Sequence, residues 1–453
     1  MIKYNDFIFR DYDIRGVYGI DFDESFAYYL GISTGIYVKG GTIVVGHDFR
    51  VGSESLSDSF ITGAVYSGCD VIDIGEVPAP LLYYATKHLS ASIGTMITAS
   101  HLPAGWNGFK FCDQNGLPIS FDSGLKSIRN LIGNNKKSFK IGSVKHCNIL
   151  DSYVDYITQL INIHKPLKVV FDYGDSVTSL IVPRIARKLC IEFYEIHNSI
   201  SGDFPNRTSE LTLLSMAKLK ETVIQMKADI GIAYDGDGDR MGLVDQNGII
   251  YYSGDKVIQL LCTLLSTSIK ENSVIYYLTC SKAVKEMILN LGGKPIESKV
   301  GQAHIASLAI SNKAIFGGQY SCHTCFKENG YIDDAIYSSF KILDLLSHQE
   351  YSLSDIAKSL LEYPHSEIEN VPVQEQRKGF VIMRVEAEMI ERGYKVNRLD
   401  GIKIESEDCW CLIRPSNTSP VIRINAEGKK LEEVLQFHKF CSDIVKEAIR
   451  DDQ

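Results

Sequence analysis

Long apolar runs are missing from this sequence. The longest leucine-rich stretch, 257–265, follows Asp255-Lys256 and falls short of the roughly 20 residues that a bilayer-crossing helix needs, so no membrane span is expected. An excess of positive charge is missing too. With 47 Lys and Arg against 56 Asp and Glu the net charge is −9, which disfavours a nucleic-acid or anionic-membrane surface. A few local arginines could still bind a small phosphorylated ligand. A disulfide framework is not expected either, because the 11 cysteines are odd in number and scattered, as in a chain kept reduced. Cys322-His323-Thr324-Cys325 and the later Cys409-Trp410-Cys411 do not supply four zinc ligands at suitable spacing, so packed free thiols are expected there. The first 16 residues hold no apolar run of the secretory kind, and a cytoplasmic location is expected.

What is present is the composition of a globular protein, 45% hydrophobic and 23% charged, at a length of 453 residues that suggests about three domains. The repeating theme is a short apolar run ending in glycine or aspartate, followed by helical periodicity. Thr42-Ile43-Val44-Val45-Gly46, Val71-Ile72-Asp73-Ile74-Gly75 and the run 167–174 are examples, the last preceding apolar positions at Leu180, Ile181, Ile185 and Leu189. A helix is expected over 213–226, then a strand over 230–234. Alternation of this kind predicts an α/β protein with parallel or mixed sheets. Two breaks stand out. Gly133-Asn134-Asn135-Lys136-Lys137 follows a helical stretch at 125–132, and Tyr363-Pro364-His365-Ser366 precedes a separate final segment. That segment closes with an amphipathic helix carrying Leu431, Val434, Leu435, Cys441, Ile444 and Val445.

Four segments carry chemistry. An apolar run, 93–97, ends in Thr98-Ala99-Ser100-His101-Leu102-Pro103, which presents a serine at the sheet's edge; alone, such a serine is a turn or capping residue and a weak nucleophile. Asp235-Gly236-Asp237-Gly238-Asp239-Arg240 follows a strand, and its alternate carboxylates can converge on one hard cation. An EF-hand is excluded, since it wants glycine where Arg240 stands and glutamate where Gln246 stands. Gly317-Gly318-Gln319-Tyr320-Ser321-Cys322-His323 offers hydroxyl, amide and imidazole groups suited to sugar hydroxyls. Arg414-Pro415-Ser416-Asn417-Thr418-Ser419-Pro420, with Arg423, forms a candidate anion cradle. Together the four imply phosphoryl transfer onto a phosphorylated polyol.

In this order, over nearly the whole chain, these segments resemble the α-D-phosphohexomutase superfamily. The opening Phe9-Arg10-Asp11-Tyr12-Asp13-Ile14-Arg15-Gly16 and the triplet Ser416-Asn417-Thr418 look like its phosphomannomutase/phosphoglucomutase branch. The resemblance implies a heart-shaped, four-domain α/β molecule: three related mixed-sheet domains over 1–148, 149–252 and 253–365, and a smaller α+β domain over 366–453. It implies a resting phosphate on Ser100, and Mg²⁺ held by Asp235, Asp237, Asp239 and that phosphoserine. Lys110 and His323 are then the acid/base candidates, and Arg15, His101 and Arg240 the groups that stabilise the transferring phosphoryl. Arg414, Ser416, Asn417, Thr418 and Arg423 would hold the distal phosphate, while Tyr12, Gln302, Gln319, Ser321 and His323 would contact substrate. The implied reaction interconverts hexose 6-phosphate and hexose 1-phosphate, of mannose or glucose, through a hexose 1,6-bisphosphate that also serves as activator. A monomer or homodimer acting on a phosphorylated hexose is expected, with neither nucleic acid nor membrane as partner.

The sequence departs from the family pattern at several sugar-facing positions. Leu102 replaces an asparagine, Gln319 a glutamate, Cys322 a glycine and Ser419 a glutamate; Gln302 and Thr279 stand where histidine and lysine are usual, and Gly174-Asp175-Ser176 where a glycine-asparagine-glycine turn is usual. Two other readings therefore accompany the first: a phosphoglucosamine mutase or bisphosphate-forming relative, and a sugar-phosphate-binding protein with vestigial activity.

Overall fold

Short apolar strands, most of them wholly buried, become the inner strands of successive sheets, as at Ile43–His47, Ile93–Ile97 and Ile230–Tyr234. The computed structural model describes residues 4–133, 141–416 and 420–450. Its first sheet has the strand order Ile14–Val17, Trp106–Asp113, Ile93–Ile97, Ile43–His47, Val71–Glu76, Val144–His146. The second runs Ile250–Tyr251, Met241–Asp245, Ile230–Tyr234, Lys168–Asp172, Glu192–Ile196, and the third Lys294–Ser298, Ser273–Tyr277, Phe316–Gly318, Thr324–Phe326. All three mix parallel and antiparallel pairs. The fourth, Glu369–Pro372, Val421–Gly428, Cys409–Pro415, Ile402–Glu405, Lys395–Asn397, is antiparallel throughout, and the helices Lys378–Glu391 and Leu431–Arg450 pack on it.

One device recurs in the three mixed sheets and positions the site. A strand parallel to its inner neighbour turns back as an antiparallel hairpin: 93–97 into 106–113, 230–234 into 241–245, and 316–318 into 324–326. The three hairpin connections hold Ser100, the aspartates and His323, so the catalytic candidates lie past the carboxyl ends of equivalent strands, where ligands bind in open α/β sheets. The strand before Ser100 is the third of six, so the serine is presented at a strand end and not on an edge strand.

One large apolar core runs through the three mixed-sheet units, from Val44 and Leu82 through Phe171 and Tyr234 to Ile275 and Phe340, with separate clusters around Phe26 and Phe109 on the first sheet and Val170 and Val223 on the second. The last domain has its own core around Val381, Ile413, Ile424 and Val445, joined to the third sheet by Leu278, Trp410 and Leu412. No helix among the described residues is long and apolar enough to cross a membrane.

Some boundaries differ from expectation. The helix expected at 213 begins at Ala217, because Thr212 and Ser215 exchange side-chain-to-backbone hydrogen bonds that form a turn first. The 125–132 helix is the short segment Lys126–Asn130 entered through a π turn, Phe121–Leu125. The stretch over 180–189 is split into a 3-10 turn, Val177–Leu180, and the helix Val182–Lys188, with Pro183 in its first turn. In the last helix Val434, Cys441, Ile444 and Val445 face the core, but Leu431 and Leu435 are exposed. Asn134–Lys137 of the expected break lie outside the described residues.

Candidate active site

Ser100 is completely buried and has a left-handed backbone, φ 54°, a conformation that non-glycine residues adopt at a cost. Its loop is held from behind by Arg50, which the motif reading missed. The guanidinium donates to the carbonyls of Leu102 (2.8 Å), Pro103 (2.9 Å) and Trp106 (3.3 Å), and closely to that of Ser100. Asp48 pairs with Arg50 at 3.2 Å and accepts from Thr98 Oγ1 at 2.6 Å, while Thr98 Oγ1 accepts the Ser100 amide at 2.9 Å. With its carbonyls turned toward Arg50, the loop leaves the serine side chain facing the aspartates. Asp48-Phe49-Arg50 follows the end of a buried strand as the other motifs do; that was the available signal.

Ser100 Oγ donates to Asp235 Oδ2 at 2.9 Å. A Cβ added at Gly236 would lie 2.3 Å from the Ser100 carbonyl, so the aspartate loop passes the serine at a distance only glycine permits. Lys110, on Trp106–Asp113, reaches across to Asp237 Oδ2 (2.7 Å) and Asp239 Oδ2 (2.6 Å). Those two carboxylates raise Lys110 well above its ordinary pKa although burial alone would lower it. The three aspartates are buried, with donor oxygens within 4.8 Å of one another. Burial and the charges of Asp239 and Asp237 push Asp235 far above the ordinary carboxylate range, as happens where a cation is called for. Asp237 Oδ1 and Asp239 Oδ1 are buried with no hydrogen-bond partner. An all-oxygen donor set with two such orphaned atoms fits a hard divalent ion.

His323 closes the other side. Its Nε2 accepts from Arg240 Nε at 3.3 Å, which places the ring proton on Nδ1, 2.8 Å from Ser321 Oγ. Asp239 Oδ1 lies 3.2 Å from the same Nε2 yet takes no hydrogen bond, as expected of an unprotonated nitrogen. Burial, with Arg240 added and Asp239 opposing, lowers His323 from its ordinary 6.5 to about 4. A histidine depressed in this way binds fewer protons folded than unfolded. Its stabilising contribution is therefore complete above pH 6.5 and lost as pH falls toward 4, on the order of 3 kcal/mol. The thermal midpoint of His323→Gln is expected to fall less steeply than the native one over that window; parallel curves would contradict this. Burial and the charges of Arg240 and Arg15 likewise hold the His101 imidazole well below its ordinary value, and its Nδ1 is 3.5 Å from Ser100 Oγ.

Further out, Arg15 is fixed by Asp13 at 2.7 Å. Gln319 Nε2 donates to Asp333 at 2.9 Å. Cys322 has a positive φ of 67° and its thiol faces the Tyr252 carbonyl at 2.9 Å. The cysteines are free, and the aspartate triad is the one candidate metal cluster among the described residues. Tyr12 spends its hydroxyl on the Val300 carbonyl, tying the first domain to the third. On the last sheet Arg414 and Arg423 sit directly opposite each other; Arg414 Nη1 is 3.6 Å from Asp400, its Nε is buried without a partner among the described residues, and Arg414 adds to the burial that lowers Arg423. Two guanidiniums forced together with an orphaned N–H are suited to an anion. Ser416 is buried beside them, and Asn417 and Thr418 lie outside the described residues.

Ser100, His101, Lys110, the three aspartates, Arg240 and His323 thus form one network drawn from three sheets, and the arginine pair is a second cluster on the fourth. Family models for phosphoglucomutase/phosphomannomutase match in series: alpha/beta/alpha domain I over 6–139, domain II over 151–248, domain III over 253–363 and the C-terminal domain over 369–443. A phosphomannomutase of Methanocaldococcus jannaschii is 32% identical over 443 residues, covering 94% of this chain and 96% of its own. A probable phosphoglucosamine mutase of Methanothermobacter thermautotrophicus is 34% identical over 406 residues, 88% of each. A crystal structure of a phosphoglucomutase/phosphomannomutase family protein from Burkholderia thailandensis superposes with a TM-score of 0.90 at 27% identity, covering 99% of this chain and 98% of that one. A chain matched by all four domain models in order, and by relatives at this identity along its length, belongs to the phosphoglucomutase/phosphomannomutase family and is an enzyme interconverting hexose 6-phosphate and hexose 1-phosphate.

Proposed function

We propose that the phosphoryl group passes through Ser100 Oγ, which carries it in the resting enzyme, gives it to a hexose monophosphate and recovers the other phosphate of the resulting 1,6-bisphosphate. The observation that carries this reading is the 2.9 Å hydrogen bond from the buried Ser100 hydroxyl to Asp235, at the mouth of the aspartate loop. Asp235, Asp237, Asp239 and the serine's oxygen would hold Mg²⁺, which supplies neutralising charge to phosphoryl oxygens. Arg15, His101 and Arg240 line the transferring group, and Arg240 also orients His323. His323, neutral near pH 7, accepts the proton of the attacking sugar hydroxyl and returns it to the sugar oxygen on the reverse transfer, while Lys110 protonates the Ser100 oxygen as it leaves and takes that proton back when Ser100 attacks.

Arg414, Arg423 and Ser416, with Asn417 and Thr418, clamp the phosphate that is not reacting, so one clamp serves both orientations of the intermediate. Gln319, Ser321, Gln302 and Tyr12 line the sugar, Tyr12 through the Val300–Gly301 loop it holds. The work is divided among four domains meeting near residues 148, 252 and 365, in a cytoplasmic monomer or homodimer that uses hexose 1,6-bisphosphate as activator.

Coupled assays with glucose 1-phosphate, mannose 1-phosphate and glucosamine 1-phosphate, plus Mg²⁺ and activator, test the reading. Turnover of a neutral hexose phosphate above the amino sugar supports it; binding of all three without turnover would overturn it. Chelation is expected to stop turnover and to lower the thermal midpoint. Restoring Mg²⁺ at 100 times its Kd should return about 2.7 kcal/mol of stability, and Asp237→Asn should remove most of that gain. An unchanged midpoint would count against the site.

A further inference from the structure

Asp333, beside the loop of Gln319, is a buried carboxylate that the transfer chemistry leaves unused. Its backbone forms a β-bridge with Cys325, in the second strand of the hairpin 316–326, and its carboxyl group lies in the field of Asp239 and Lys110. Its Oδ2 accepts from Gln319 Nε2 at 2.9 Å, and Gln302, at the start of the helix Gln302–Ser311, lies near enough to lower the pKa of the same carboxyl group. Burial and the charge of Asp239 raise Asp333 to about 7, and the hydrogen bond from Gln319 opposes that rise. In the ionised form this bond favours, the carboxylate accepts and does not donate, so the NH₂ end of Gln319 faces it. Gln319 is also fixed at its root, because its amide donates to the His323 carbonyl and its carbonyl accepts from Cys322, both at 3.0 Å. Its Oε1 is thereby turned from Asp333 and receives no protein hydrogen bond among the described residues.

We propose that Asp333 is a positioning residue for sugar recognition: by holding Nε2 it makes Gln319 a one-way acceptor, whose Oε1 receives a hydrogen bond from a substrate hydroxyl. Without that hold the amide can flip and present a donor instead. Asp333 touches no reacting atom and acts through Gln319. The inference rests on the mutase reading for the identity of the ligand, but the hydrogen-bond polarity it describes does not.

The test is a swap measured on the full-length enzyme with glucose and mannose phosphates, by steady-state kinetics and by calorimetric binding of the 6-phosphates. Asp333→Asn, which lets the amide flip, should raise KM and Kd about tenfold with kcat changed less than about threefold. Gln319→Glu alone sets two carboxylates against each other and should raise both constants at least as much. The double variant Gln319→Glu/Asp333→Asn restores a donor facing an acceptor and should return both constants to within about threefold of native. A double variant no better than Gln319→Glu, or Gln319→Glu indistinguishable from native, would overturn the proposal. If Gln319→Glu does not fold, recovery of folding and binding in the double variant is the supporting result, and its absence the contrary one. Failure of the mutase reading would appear differently, as native protein that binds the sugars and turns none over.

Discussion

Ser100→Ala is expected to lower kcat by at least about ten-thousandfold while leaving the Kd for hexose 6-phosphate within about threefold of native. The size follows from the site's economy. Asp235 and His101 flank one hydroxyl, Lys110 and Arg240 pair with the aspartates beside it, and among the described residues no second hydroxyl hydrogen-bonds to Asp235. Alanine keeps the backbone and removes one oxygen, so the sugar-facing groups and the arginine pair stay in place. The stability change should be small, because a lost hydrogen bond is worth about 1 kcal/mol and the serine's strained φ is unchanged. A loss in KM rather than kcat would place Ser100 in binding.

The second large effect concerns Arg50. Arg50→Lys keeps a positive charge near Asp48 but cannot donate to four carbonyls at once, because an ammonium lacks the planar fork. The carbonyls of Ser100, Leu102, Pro103 and Trp106 then lose donors in a buried setting. A destabilisation of about 2–4 kcal/mol and a fall in kcat of about a hundredfold are expected, the latter because the serine is no longer held in its left-handed turn. Thermal melting with kinetics checks both. If melting falls and kcat per folded molecule does not, Arg50 serves the fold alone.

Much of the site was legible because its chemistry sits in short contiguous motifs. Asp235, Asp237 and Asp239 are two residues apart on a glycine-hinged loop, and such spacing survives any fold that lets the loop curl. The run before Ser100 could be recognised as a strand, but nothing in it showed that the serine would be buried against a loop 135 residues away. Arg50 escaped notice because its work is done on backbone carbonyls, which carry no sequence signature. Gln319 was noticed as a departure, yet its orientation depends on Asp333, and such pairings are set by how hairpin and helix pack. The helix starts at 217 and 126 were missed for a local reason: serine and threonine side chains, and a π turn, compete with the first helical turn. Leu431 and Leu435 fit the helical stripe by period but lie outside the face the C-terminal sheet covers.

The central claim, that Ser100 carries the phosphate, is tested most directly by incubating the enzyme with hexose 1,6-bisphosphate labelled in its phosphates and mapping the label by peptide mass analysis. The account predicts one labelled phosphate on the peptide containing Ser100, discharged to hexose monophosphate on a chase and absent from Ser100→Ala. Label on another residue, or native enzyme that turns over without ever carrying label, would contradict it.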